Sequence, residues 1–272
     1  MLASRVPVHL EAAHKLASAL SALRPEASHK VQVHPLTPDG RSWVLHAERW
    51  WPLQHDGGLE TMWKARPSEP TRGMIMGRPV DFPRRTCAYG VDYKYTGQTQ
   101  FAQPIASAPE PVQELVTKLR AVDSLGDHNA LLLNWYEASL NEYMGPHSDD
   151  ERELVRLAPI VSLSWCSSGH FRRFRFTARK GCSDALLPSW SGGQPGMLRL
   201  TDGCLVVMGG ECQATHKHEV MKTTKRALGE NEGRRINLTL RAFAASAESA
   251  SRKRQREAGS SPPAAAQCGP LV

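Results

Sequence analysis

The chain has 272 residues, of which 40% are apolar and 22% charged, a composition typical of one large globular domain or two small ones. Its apolar runs fall far short of the roughly 20 residues that a membrane-spanning helix needs. Residues 1–23 also lack the apolar core of a secretory signal, so we expect neither secretion nor a membrane anchor. Six scattered cysteines without a CxxC pair favour a reducing compartment and argue against a cysteine zinc site.

The net charge is +7, and residues 252–257 (RKRQRE) account for +3 of it, which leaves +4 for the rest of the chain. This modest basic excess is compatible with an anionic partner such as nucleic acid, without demonstrating one. From residue 245 the chain is rich in Ala, Ser and Pro, which predicts a disordered tail. Its basic cluster is compatible with a nuclear localisation element or a loose phosphate-binding tail, although short basic clusters are common.

The first third of the chain alternates between regular and irregular patterns. Residues 10–23 carry apolar side chains at helical spacing and are followed by Pro25, which predicts a short amphipathic helix. Residues 31–51 form two alternating runs about a Pro-Asp-Gly turn, as a pair of strands would. Residues 58–84 look irregular, although residues 74–85 (MIMGRPVDFPRR) are compatible with a hairpin that has an apolar tip and basic flanks.

The sequence pattern differs on the two sides of residue 123. Before residue 123, residues 89–97 (YGVDYKYTG) alternate like a strand, and residues 109–123 form the clearest helix because their apolar side chains share one face. After it come short apolar segments separated by polar turns: ALLLNWY, PIVSLSW, FRRFRF, GMLRL, CLVVMGG and INLTLRAF. Many short strands without intervening helices predict a mainly β fold, a sandwich or barrel-like double sheet with helices at its flanks.

One short stretch suggests metal binding. His147 and Asp149 are two residues apart, so on a strand their side chains point to the same side and can converge on one ion. A later histidine, His216 or His218 in THKHEV, would complete two histidines and one carboxylate. That set leaves positions open on Fe(II) for a chelating cosubstrate and oxygen. The alternative is a solvated acidic loop, since a bare HxD pair also occurs by chance.

The segment RINLTLR, residues 235–241, alternates polar and apolar side chains, and its polar face carries Arg235, Asn237, Thr239 and Arg241. If both faces of this strand are enclosed, the two arginines need anionic partners. A dicarboxylate would supply two anionic groups, which arginine binds through its bidentate fork. The alternative is an edge strand with a solvated basic face.

The order of LLLNWY, HSDDE, PIVSLSW, HKHEV and RRINLTLR resembles the AlkB family of Fe(II)- and 2-oxoglutarate-dependent dioxygenases, nearest its eukaryotic nucleic-acid demethylase branch. The resemblance covers about residues 80–243. It implies a double-stranded β-helix, or jelly roll, with Fe(II), 2-oxoglutarate and O2 at its open end. We therefore divide the chain into an N-terminal extension (1–79), a catalytic domain (80–244) with a substrate lid at about 74–105, and the tail (245–272).

The resemblance also implies roles for individual residues. The iron ligands would be His147, Asp149 and His218, with His216 as the alternative to the last. Arg235 would pair with the distal carboxylate of 2-oxoglutarate and Arg241 would support its chelating end. The implied cosubstrate contacts are Asn134, Tyr136, Arg235, Asn237 and Arg241.

Substrate contacts follow from the same resemblance and from charge. Tyr93 and Tyr95 lie on one face of the lid segment, and Tyr95 matches the position that stacks on the base. Asp150 and Glu151 would attract a cationic alkylated base, unless they are merely exposed. Arg84 and Arg85, beside the possible hairpin, would meet phosphates, which are sequence-independent contacts.

These expectations describe an oxidative demethylase of alkylated bases, such as 1-methyladenine and 3-methylcytosine, in DNA or RNA. We expect a monomer without membrane contact in the nucleus, with the cytoplasm or the mitochondrion as alternatives. Two rival functions are a protein or lipid substrate on the same fold, and a non-catalytic nucleic-acid-binding module. The basic balance and the Asp150–Glu151 pair argue against the first rival. The complete ligand set argues against the second.

Overall fold

The computed structural model describes residues 8–27, 29–53, 58–95, 98–190, 193–228 and 232–244, so the predicted disordered tail lies outside the described residues. Among the described residues, no helix combines the length and apolar character needed to cross a membrane. The helices are α1 (Val8–Leu23), α2 (Gly58–Lys64), α3 (Glu110–Arg120), α4 (Cys212–Thr215) and α5 (Lys225–Leu228). The strands are β1 (Gln32–Pro35), β2 (Ser42–Ala47), β3 (Arg72–Ile75), β4 (Arg78–Asp81), β5 (Arg85–Tyr89), β6 (Tyr93–Tyr95), β7 (Gln98–Gln100), β8 (Ala130–Tyr136), β9 (Met144–His147), β10 (Ile160–Cys166), β11 (Arg172–Ala178), β12 (Met197–Leu200), β13 (Cys204–Gly210), β14 (His216–Val220) and β15 (Arg235–Arg241).

The last eight strands form two antiparallel sheets. The large sheet has the order β1-β2-β13-β10-β15-β8-β5, and the small sheet has the order β12-β11-β14-β9. From β8 onward the chain passes between the sheets at nearly every step, which places four strands in each. This alternation is that of a double-stranded β-helix. The predicted fold, mainly β with flanking helices, is therefore confirmed.

Two hydrophobic cores hold these layers together. Between the sheets, Phe174 and Phe176 of β11 pack with Tyr136, Ile160 and Val206 of the large sheet. On its other face the large sheet is covered by helices, and the apolar sides of α1 and α3 join this second core. The helices predicted at residues 10–23 and 109–123 are present as α1 and α3. The large sheet is thus buried on both faces.

The segment before the jelly roll is joined to it by main-chain pairing. Strands β1 and β2 form the predicted pair around residues 36–41, and β2 pairs with β13 to extend the large sheet. The hairpin considered for residues 74–85 is present as β3 and β4, whereas the prediction that the rest of residues 58–84 is irregular was wrong, because α2 lies there. Met62 and Trp63 of α2 are buried, and Trp135 Nε1 donates to the Met62 carbonyl over 3.0 Å. Tertiary packing stabilises a helix too short for a clear periodic pattern.

Two turns shape the region around the open end of the jelly roll. The single strand predicted at residues 89–97 is broken at Gly90, whose φ is 86° and where a Cβ would meet the Asn129 carbonyl oxygen at 2.0 Å. The hairpin of β3 and β4 turns at Met76 (φ 50°) and Gly77 (φ 75°), as expected for a two-residue turn of the primed type. Met76 is 99% exposed at its tip. We call residues 72–81 the tip hairpin.

Candidate active site

Strand β15 supplies the polar floor of a cavity between the two sheets. It lies inside the large sheet between β10 and β8, and all seven of its residues are buried. Its apolar residues belong to the core under the helices, and the cavity is lined by Arg235, Asn237, Thr239 and Arg241. The alternative of a solvated edge strand is therefore excluded, and two arginines are enclosed in the protein interior.

The three predicted metal ligands converge at this cavity. His147 ends β9, Asp149 follows two residues later, and His218 lies on β14 directly opposite His147. The two imidazole rings have centroids 4.2 Å apart. One ligand atom from each of the three residues lies within 4.8 Å of the others. His216 lies elsewhere on β14, opposite Ala178, so the structure brings His218 and not His216 to the cluster.

Both histidine rings are held in place as metal ligands. His147 Nδ1 lies 2.9 Å from the Gly145 carbonyl oxygen, which can only accept, so Nδ1 is the donor and Nε2 is the ring atom that faces the cluster. Burial, with a contribution from His147, lowers the pKa of His218 to about 3. An unprotonated imidazole with its remaining nitrogen fixed is the form that binds a metal ion.

Asp149 completes the cluster as a carboxylate. Burial works against its charge, but Arg241, His218 and His147 together hold the pKa of Asp149 well below its usual range. Its Oδ1 accepts a 3.0 Å hydrogen bond from Arg241. Its Oδ2 is buried without any hydrogen-bond partner, which is costly for a carboxylate oxygen. Two imidazoles and an orphaned carboxylate oxygen fit Fe(II), whose usual protein ligands are these.

Arg235 lies at another part of the same cavity and has no counter-ion of its own. Its Nε donates to Ser164 Oγ over 3.0 Å and its Nη2 donates to Asn237 Oδ1, whereas Nη1 is buried without a partner. No carboxylate of the described residues forms an ion pair with it, and burial lowers its pKa. A buried guanidinium without a counter-ion is a site for an incoming carboxylate.

The neighbouring cosubstrate candidates differ in what they can still bind. Asn237 is already engaged, because its Oδ1 accepts from Ser162 and Arg235 while its Nδ2 donates to Thr239. Asn134 and Tyr136 line the cavity, and the guanidinium of Arg235 lies 5.3 Å from the centroid of the Tyr136 ring. The structure thus gives Asn237 the position of a support for Arg235.

Sequence reasoning missed the residues that hold this constellation. Ser162 and Ser164 on β10 orient Asn237 and Arg235, and the polar positions two apart in PIVSLSW could have indicated a second polar face. Gln213 Oε1 accepts from the Asp149 backbone N–H over 2.9 Å. Nothing in the sequence around the short α4 indicates this contact, since it depends on how β13 and β14 are connected.

The structure separates the predicted substrate residues. Tyr93 lines the cavity, donates its hydroxyl proton to Glu151 and has Arg241 5.2 Å from its ring centroid. Burial raises the pKa of Glu151, with Arg241 opposing. Asp150 is not brought to the cavity: its side chain is 73% exposed and lies 3.9 Å from Arg179. Tyr95 belongs to β6, but its side chain lies outside what the structure describes.

The two arginines predicted to meet phosphates face different surroundings. Arg85 forms an ion pair with Glu142, and both side chains are largely buried. Arg84 lines the cavity with Tyr93 and Asn134.

Comparison with known proteins agrees with this geometry. The model of the 2OG-Fe(II) oxygenase superfamily matches residues 61–241. The DNA oxidative demethylase ALKBH2 of Bos taurus is 30% identical over 173 residues, which are 62% of this chain and 56% of that protein. The Mus musculus ALKBH2 is 29% identical over 61% of this chain and 64% of its own length, and the Homo sapiens ALKBH2 is 27% identical over 62% and 60%.

The chain belongs to the 2OG-Fe(II) oxygenase superfamily, which implies Fe(II), 2-oxoglutarate and O2 as its cofactors, and His147, Asp149 and His218 form the iron-binding triad that this family requires. Together with the similarity to ALKBH2, this confirms the predicted membership of the AlkB family. The chain spans 56% to 64% of the length of these relatives. The solved structure of OsALKBH1 covers 78% of this chain and 100% of its own, with 15% identity and a TM-score of 0.45, too low to carry an argument.

Proposed function

We propose that this protein oxidatively demethylates alkylated bases, such as 1-methyladenine and 3-methylcytosine, in DNA or RNA. The observation that carries the proposal is the continuity between the tip hairpin and the cavity. The hairpin ends at Asp81, and Arg84, three residues later, already lines the cavity that contains the metal cluster. Only a short stretch of chain therefore separates the tip hairpin from the wall of the cavity.

The tip hairpin has the properties of a nucleic-acid wedge. Met76 is an unsupported apolar side chain at its end, and Arg72 and Arg78 lie in the strands on either side of the turn. Apolar side chains of this kind insert between base steps and unstack them, while arginines bind the neighbouring phosphates. Such a wedge would help because chemistry on a base requires its removal from the stack.

Inside the cavity, each residue has a separate task in this proposal. His147, Asp149 and His218 hold the iron, and Arg235 binds the distal carboxylate of 2-oxoglutarate with Tyr136 and Asn134 beside it. Bound Fe(II), with 2-oxoglutarate and O2, supplies the oxidation that yields succinate, carbon dioxide and a hydroxylated N-methyl group, which leaves as formaldehyde. Tyr93 forms the wall against which the base would rest, and Glu151 fixes the orientation of its hydroxyl group.

The acidic residues support selection of a cationic base. Asp149 is already committed to Arg241 and the metal ion, whereas Glu151 accepts the Tyr93 hydroxyl at the cavity wall, so the Glu151 carboxylate is the group that would attract a cationic base. In this proposal the protein is a monomer located in the nucleus, and residues 252–257 supply the targeting signal.

The test is to incubate the protein with Fe(II), 2-oxoglutarate and oligonucleotides that contain one 1-methyladenine or 3-methylcytosine, in single-stranded and duplex DNA and RNA. The proposal predicts formaldehyde in proportion to the restored base for at least one substrate, and none for His147→Ala. Succinate production without base restoration in every oligonucleotide would contradict the proposed substrate while leaving the dioxygenase chemistry intact.

A further inference from the structure

Arg84 is a cation buried in the cavity wall without an anionic partner. It precedes β5 and is 7% exposed, and its Nε is buried without any hydrogen-bond partner. The guanidinium lies 5.2 Å from the centroid of the Phe82 ring. Among the described residues, no carboxylate pairs with it. A buried charge in this state is unfavourable unless a ligand supplies the missing anion.

The other buried arginines near the cavity do not share this property. Arg241 pairs with Asp149, and Arg85 pairs with Glu142 although it adjoins Arg84 in the chain. Arg172 lies 3.6 Å from Glu232. Arg235 has the distal carboxylate of the cosubstrate as its partner in the proposed function. Arg84 is thus the cation on this wall that neither the protein nor the cosubstrate neutralises.

The chemistry of the substrate identifies the anion. A base carrying an alkyl group on a ring nitrogen is cationic and cannot neutralise Arg84, whereas each nucleotide brings a phosphate with it. We propose that Arg84 binds a phosphate adjoining the extruded nucleotide, an inference that rests on the proposed function. Because Arg84 lines the cavity, this phosphate reaches it when the nucleotide has left the stack. The contact therefore favours the extruded state and contributes little to the initial binding of the duplex.

The backbone around Arg84 is fixed to the tip hairpin. Its carbonyl oxygen accepts from the Thr71 N–H over 3.3 Å, and its own N–H donates to the Phe82 carbonyl over 2.7 Å. Thr71 Oγ1 also lies 2.8 Å from Thr86 Oγ1 on β5. These contacts connect the base of the hairpin to the residue that faces the cavity. Seating the hairpin on nucleic acid therefore also places Arg84 against the nucleotide that enters.

The experiment replaces one charged phosphate at a time by a neutral methylphosphonate, on the 5′ or the 3′ side of the methylated base. We compare kcat/KM for formaldehyde release by the wild type, Arg84→Met and the control Arg41→Met, whose arginine forms an exposed pair with Asp39. For the wild type, one methylphosphonate lowers kcat/KM about 10- to 100-fold, the usual strength of a charge-assisted hydrogen bond. R84M shows a similar loss on the unmodified oligonucleotide and is insensitive to that methylphosphonate, whereas R41M retains the sensitivity.

Several results would overturn the inference. A wild type indifferent to both methylphosphonates would do so without any variant. So would an R84M enzyme with the wild-type rate, or one that stays as sensitive to the methylphosphonate as the wild type. Calorimetric titration should give R84M the wild-type affinity for 2-oxoglutarate, because a loss there assigns Arg84 to the cosubstrate. If R84M does not fold, Arg84→Gln takes its place in the same comparisons.

The proposed function is tested separately within the same set of measurements. Formaldehyde release by the wild type from the unmodified oligonucleotide establishes demethylation before any variant is compared. If no oligonucleotide yields formaldehyde, the proposed function and the phosphate contact are overturned together. If formaldehyde is released at the same rate with and without the methylphosphonates, the role of Arg84 alone is overturned.

Discussion

Arg241 donates a 3.0 Å hydrogen bond to Asp149 Oδ1 and joins the end of the central strand to the carboxylate of the metal cluster. The pair is almost completely buried, and Asp149 raises the pKa of Arg241 against the effect of burial. Because one carboxylate oxygen is held by Arg241, the other is left for a metal ion. The orientation of the ligand is thus fixed before any metal binds.

Removal of this arginine should destabilise the protein more than removal of an exposed one. Arg241→Met leaves the Asp149 carboxylate buried and unpaired, which typically costs about 3 kcal/mol or more. Urea unfolding without metal measures the loss. The control Arg72→Met breaks an exposed pair, for which the expected change is below about 1 kcal/mol. Equal losses in the two variants would contradict the role given to the buried pair.

Arg235 should determine the affinity for 2-oxoglutarate. Arg235→Met removes the charge that pairs with the distal carboxylate, and the dissociation constant should rise about 100-fold, as for other buried charge pairs. Arg235→Lys keeps the charge but lacks the bidentate fork, so its dissociation constant should lie between those of the wild type and Arg235→Met. Calorimetry with Mn(II) in place of iron provides the measurement. Arg234→Met, whose arginine forms an exposed pair with Glu60, should bind like the wild type.

Met76 should matter for duplex substrates in particular. Met76→Ser removes the apolar tip that would occupy the gap left by the base, so kcat/KM should fall about tenfold on duplex, corresponding to roughly 1–2 kcal/mol of lost burial. Single-stranded substrate needs no wedge and should be demethylated at the wild-type rate. Leu186→Ser removes an exposed leucine that lies between β11 and β12 and serves as the control. A loss on both kinds of substrate would argue against a wedge.

His46 should make stability depend on pH outside the active site. Burial, with the charges of His34 and His29, lowers its pKa from 6.5 to about 4. The unfolded state therefore takes up this proton first as the pH falls, and stability decreases between pH 6.5 and 4 by at most about 1.4 kcal/mol per pH unit. The free energy of unfolding of His46→Phe, measured with urea across this range, should change less steeply with pH than that of the wild type. An unchanged pH dependence would contradict the role given to His46.

The residues on β15 show what the sequence could predict and where it stopped. Alternation alone placed Arg235 and Arg241 on one face, and the motif order gave the family and the metal ligands. The sequence of β15 alone does not determine whether that face is exposed to solvent. The face is enclosed because β8, β10 and the small sheet surround the strand. Likewise His216 and His218 share a face of β14, and the pairing of His218 with His147 distinguishes them.

Local sequence says less about side chains whose environment comes from distant segments. Arg84 and Arg85 are adjacent and both basic, but one lines the cavity and the other pairs with Glu142. Asp150 and Glu151 separate in the same way, toward Arg179 and Tyr93 respectively. α2 was missed because its stability depends on burial of Met62 and Trp63. In each case the contact that determines the environment of the side chain comes from a residue distant in the sequence.

The identity of the metal ligands underlies the whole of the proposed chemistry, and a matched pair of histidine variants tests it directly. Calorimetric titration with Mn(II) should show one site in the wild type and in His216→Ala, with comparable affinity. His218→Ala should lose this site, because its imidazole is the one opposite His147. Wild-type metal binding by H218A, or its loss in H216A alone, would contradict the proposed centre.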